Sequence, residues 1–133
     1  MESEQMRSKF INVLKENFPE VQYRAKRLAS GRTRISPYLP NKKRNKRWMQ
    51  LDSNKEYLSI AMDHVVGQIT ADVIKKLNIP YGLDGNRTGI QLQPNGDAVN
   101  LSIFINDEVN FNQTEFIQFL HKHYVSYSKL VNF

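Results

Sequence analysis

The sequence predicts a small α+β domain with two layers, an antiparallel or mixed sheet of about four strands with helices packed on it. Three observations carry that prediction. Apolar residues recur at helical spacing near both ends of the chain, the period changes to two in the middle, and each two-period run is doubled across a short polar turn. Together they give the order α-α-β-β-α-β-β-α. With 133 residues, 40% hydrophobic and 24% charged, the chain has the composition and length of one globular domain spanning 1–133.

Met6, Phe10, Val13, Leu14 and Phe18 share one face of the first helix, and Ser3 is its expected N-cap. The helix should end near Asn17-Phe18, because Pro19 disfavours helical geometry in the residue before it. Pro19 then opens a second helix with Val21, Ala25 and Leu28 on one side and Gly31 as its C′ residue. A strand in which Val21, Tyr23 and Ala25 alternate with Gln22, Arg24 and Lys26 competes with it. Proline at the first turn and the late glycine favour the helix. In either geometry Arg24, Lys26 and Arg27 stay near the surface.

The stretch Arg32 to Trp48 follows. Pro37 and Pro40 should interrupt any regular element there, leaving 38–46 as a basic, flexible internal loop whose like charges repel one another. Met49 and Leu51 then alternate with Trp48, Gln50 and Asp52, and Leu58, Ile60 and Met62 form the facing set of an antiparallel hairpin. This alternation puts Trp48 with Gln50, opposite the core. Asp63 is the expected cap of a third helix, with Val66, Ile69, Val73, Ile74 and Leu77 as its stripe. After a glycine-rich connection from Pro80 to Gly89, Ile90–Gln93 and Ala98–Ile105 pair across Pro94-Asn95-Gly96-Asp97. Asn112 and Glu115 cap a last helix whose stripe is Phe116, Leu120, His123/Tyr124, Tyr127 and Val131.

Charge is the strongest functional signal. Between Arg7 and Arg47 there are 13 Lys/Arg against two acids, a local balance of +11 in a chain whose net charge is +6. Five of these cations, Lys42, Lys43, Arg44, Lys46 and Arg47, stand within six residues and end on Trp48. Such a segment suits a polyanion: cations neutralise phosphates, while Trp48 or Tyr38 is available to stack on a base. The predicted nucleic-acid-binding set is Arg24, Lys26, Arg27, Arg32, Arg34, Tyr38, Lys42, Lys43, Arg44, Lys46, Arg47 and Trp48.

Other chemistry is poorly provided for. There is no cysteine, so disulfides, thiolate metal sites and cysteine nucleophiles are excluded. The N-terminal residues lack an apolar signal core and the apolar runs are too short for a membrane span, so a cytoplasmic protein without membrane contact is expected. Gly82 to Gly89 has neither the spacing nor the lysine of a phosphate-binding loop. His121 and His123 diverge by about 200° on a helix and do not clamp a metal together, and no metal or cofactor is predicted. The weak catalytic candidates are His64 and Arg87. The leading expectation is therefore a non-enzymatic nucleic-acid-binding domain. The alternatives are a module for an acidic protein partner or for homo-oligomeric assembly, and a small metal-free nuclease or phosphate-handling enzyme.

Overall fold

The computed structural model describes residues 2–40, 46–64, 82–83, 90–93, 96–105 and 109–132. Two helices, α1 (Ser3–Asn17) and α2 (Thr114–Val131), accompany an antiparallel sheet of β1 (Gln22–Arg27), β2 (Thr33–Tyr38), β3 (Met49–Ser53), β4 (Tyr57–His64) and β7 (Gly96–Phe104). Two shorter strands, β5 (Gly82–Leu83) and β6 (Ile90–Gln93), pair with opposite halves of the far side of β7. The class is α+β, as expected. The sheet is larger than predicted: the segment expected to be a second helix is β1, β2 forms where Pro37 was expected to interrupt regular structure, and β5 lies in the glycine-rich connection.

That segment shows how pairing overrides local signals. β1 pairs with β2 over six residues, from Gln22↔Tyr38 to Arg27↔Thr33. Pro19 and Gly31, which locally suit the ends of a helix, instead serve two turns: Val21 N–H donates to Phe18 C=O, and Gly31, at φ 87°, closes the hairpin by donating to Leu28 C=O. Pro37 does not end β2 either. It lies inside the strand, where its carbonyl accepts from Trp48 N–H at 2.7 Å.

The predicted central hairpin forms with the expected facing sets, paired as Met49↔Met62 and Leu51↔Ile60, and Ser53 extends β3 by pairing with Leu58. β7 continues the same rows with Val99, Leu101 and Ile103. These alternate positions, together with Met6, Phe10 and Leu14 of α1 and Phe116, Leu120 and Tyr127 of α2, make one core on one face of the sheet. Burying this many side chains of Leu or Phe size, each contributing about 1.5–3 kcal/mol, is what holds the two layers together.

The ends of the elements depart from expectation in small ways. Glu2, not Ser3, precedes α1, and its N–H is held by Gln5 Oε1 at 2.8 Å. Ser3 instead donates to Asn54 C=O, tying the helix to the central hairpin turn. Gln113 is the N-cap of α2, and Asn112 N–H is taken by the Asn110 side chain, so the Asn112–Glu115 cap does not form. β4 runs through Asp63 and His64, which pair with Ala98 and Asp97, so Asp63 is not a helix cap. The predicted third helix beyond it lies outside the described residues. Among those residues, no helix is long and apolar enough to cross a membrane.

Candidate nucleic-acid interface

The site begins with strand alternation. On β1, Arg24 and Lys26 point to the side opposite the helices, because they pair with Ser36 and Arg34, whose neighbour Ile35 sits in the row of Leu51. Tyr38 shares that opposite side. Arg24 places its guanidinium 4.5 Å from the centre of the Tyr38 ring, and Gln22 and Tyr38 hydroxyl complete the group at 3.4 Å. Arg34 lies on the same side but is already engaged: two 2.8 Å bonds join it to both oxygens of Asp52. That bond holds the Arg34 pKa above its usual value.

Regular alternation then fails by one residue. Ile35 faces Leu51 and Tyr38 faces Arg47, so three steps along β2 match four along the strand that enters β3. The extra residue is a bulge, and it carries Pro37 opposite it. Its consequence is a change of face. Arg47 joins Tyr38 on the exposed side, where Gln50, with its carboxamide oxygen turned toward the cation, accepts from Nε and Nη2 at 2.7 and 2.9 Å. Trp48 turns into the core with an exposure of 0%.

Trp48 is therefore placed opposite to the sequence expectation. Its ring meets Phe18 and Tyr124 edge-on at 5.0 and 5.1 Å and lies nearly parallel to Tyr127. Its Nε1–H donates to His123 Nδ1 at 2.8 Å, which requires that nitrogen to be an unprotonated acceptor. A base has no access to this ring. Tyr38 is the aromatic that remains on the cationic side.

The other predicted residues separate. Arg27 is exposed on the helix-side alternation of β1 rather than beside Arg24. Arg32 spends one N–H on Ser53 C=O at 2.8 Å. Lys46 and Arg47 are exposed, while Lys42, Lys43 and Arg44 lie outside the described residues, as does most of the loop expected to be flexible. The side chains of His64 and Arg87 are also outside them. His121 is exposed and His123 buried, as their helical divergence requires. Among the described residues no cluster of three or more His, Cys, Asp or Glu side chains is placed to hold a metal.

One residue central to this geometry lies in the core. Tyr127 belongs to the predicted stripe of α2, but its hydroxyl accepts from Leu39 N–H at 3.0 Å and donates to Lys46 C=O at 2.5 Å. Burial pushes its pKa up. The need of a buried tyrosine for a hydroxyl partner is legible in sequence; that the partners are the two ends of the basic stretch is not.

No protein-family model, curated protein or solved structure matches the chain.

Proposed function

We propose that the protein is a non-enzymatic nucleic-acid-binding domain that contacts the phosphate backbone through the sheet side bearing Arg24, Lys26, Tyr38 and Arg47. The observation that supports this reading most is the gathering of exposed cations from two separate chain segments, Arg24 and Lys26 of β1 and Arg47 before β3, onto one side around Tyr38. A merely solubilising charge distribution has no need of such convergence. Charged side chains also protect an edge strand such as β1 from unwanted pairing, but that role does not call for Arg47 ahead of β3.

Backbone contact fits better than base reading. Trp48 is withdrawn, and the face of Tyr38 is occupied by a guanidinium, which itself is a flat cation able to lie on a base or pair with a phosphate. The assembly reading has less support. Among the described residues most aromatic rings are in the core, and the large apolar side chains exposed there are Phe104 at 49% and Val125 at 51%, on different elements. A cytoplasmic setting agrees with a cysteine-free chain.

The test is fluorescence anisotropy with single-stranded and duplex DNA and RNA across salt, comparing wild type with R24Q/K26Q/R47Q. The triple variant should bind more weakly and flatten the plot of log affinity against log salt by up to about 0.9 per lost duplex-DNA phosphate contact. Absence of binding at low salt, or equal binding by both proteins, would reject the proposal.

A further inference from the structure

The neck of the basic stretch is fastened by a side chain from a distant helix. β2 and the segment leading to β3 approach through the Pro37 C=O to Trp48 N–H bond and the Tyr38–Arg47 bridge. One residue further out, Leu39 N–H and Lys46 C=O do not bond to each other in that ladder. The Tyr127 hydroxyl stands between them, accepting from one and donating to the other. Its ring is held in turn against Trp48 at 6.0 Å and 16° between planes, and Trp48 is fixed by His123.

From this geometry we infer that Tyr127 is a positioning residue for the anion site: it sets the separation of Tyr38-Leu39 from Lys46-Arg47 and so presents Tyr38 and Arg47 beside Arg24. The inference rests on the reading of that side as a polyanion surface. Its physical content is pre-organisation. Two chain segments joined by a run of repelling cations lose conformational entropy if they must be ordered by the ligand, and Tyr127 meets that cost during folding. Because the hydroxyl faces only backbone atoms in these bonds, its removal changes the arrangement of the cations and not their number.

Tyr127→Phe keeps the ring and removes the hydroxyl, so it separates clamping from packing. Three measurements test it. In wild type the Leu39 amide should resist hydrogen exchange as Trp48 N–H does; rapid exchange at Leu39 alone would overturn the clamp without any variant. In Y127F, limited trypsin digestion after Lys46 and Arg47 should accelerate relative to Leu120→Val, a control that loosens the core away from these bonds. Affinity for a 20-nucleotide strand should fall about 3- to 10-fold in Y127F, the equivalent of one neutral hydrogen bond, with the salt slope unchanged. A merely structural role would give L120V the same loss. Equal affinity of Y127F and a binding-competent wild type rejects the inference alone. Failure of wild type to bind rejects the nucleic-acid reading, while hydrogen exchange and digestion still decide whether the clamp exists.

Discussion

The central hairpin and the neck of the basic stretch lie on one run of chain, β3 and the residues that enter it, yet side-chain facing is regular in one and displaced in the other. From Leu51 to Ser53, residues alternate against Ile60 and Leu58 as a period of two requires. Between Leu51 and Arg47 one extra residue exchanges the sides, sending Trp48 inward and Arg47 outward. The lesson concerns separation of tasks. A strand that must supply both core and contact surface within a few residues can do so by a bulge, at the cost of one irregular rung. Here the bulge converts a cation-rich sequence with a tryptophan into a cationic surface without one.

The comparison breaks most sharply at the two aromatics. Trp48→Ala should destabilise the fold by about 3–5 kcal/mol, the range for large aromatic-to-alanine changes in cores. It also leaves His123 Nδ1 without its donor. Tyr38→Ala, at a half-buried position on the other side, should cost far less and should weaken strand binding. Denaturant midpoints measured beside affinities check both. A Trp48→Ala protein as stable as Tyr38→Ala would mean that the bulge, and the face assignment built on it, is wrong.

A second contrast is between cations. Arg7 is buried under α1 and donates to Thr33 C=O at 2.6 Å and Leu51 C=O at 3.1 Å; burial lowers its pKa. Arg7→Met should cost about 1–3 kcal/mol, because it removes the hydrogen bonds of a charged donor held inside the structure. Nucleic-acid affinity should be unchanged once the protein is folded. Arg24→Gln should do the reverse, weakening binding with a stability change within about 0.5 kcal/mol.

These contrasts also mark what the sequence could convey. Rows such as Met49/Leu51 and Leu58/Ile60/Met62 were legible because a period of two has one solution once a face is buried. The stripe Phe116, Leu120 and Tyr127 was legible for the same reason at helical period. β1 was not, since Val21 to Lys26 fits both periods, and what decides is its pairing with a strand containing a proline. Trp48 was misplaced because a bulge has no local signature in Arg47-Trp48-Met49. Of the site, the charges were visible and the partition among them was not: Arg34 is committed to Asp52, Arg27 is on the other side, and Tyr127 enters from a residue 81 positions away from Lys46.

The tyrosines behind the neck predict an alkaline limit. Burial pushes Tyr23 up to about 12 and raises Tyr127. An unfolded tyrosine releases its proton near pH 10, so above that pH the unfolded chain loses protons before the folded one. Stability should therefore be independent of these groups below about pH 10 and fall as pH rises from there toward 12. Thermal midpoints across that range, with tyrosinate absorbance as the second signal, check it; a midpoint that climbs between pH 10 and 12 would contradict the burial of these hydroxyls.

The smallest expected effect is also the most discriminating, because it is a gain. Asp52 is the acid on the side of β1–β3 that carries Arg24, Lys26 and Arg47, and it holds Arg34 by two bonds. Asp52→Asn removes a negative charge and loosens Arg34 without adding any group to the surface. The pair is partly exposed, with side-chain accessibilities of 28% and 22%, so its loss should cost no more than about 1 kcal/mol. If the ligand is a phosphate backbone lying on this side, D52N should bind more tightly by a few-fold, and the salt slope should steepen by about 0.9 where Arg34 gains a duplex phosphate. An acidic protein partner would also bind more tightly, but with no fixed increment per contact and no preference for nucleic acid. If instead the working cations are those of Arg27 and the opposite side, D52N should leave affinity where it was. Tighter binding in D52N together with weaker binding in R24Q would place the polyanion on one side of the sheet; the same affinity in both variants would remove it from there.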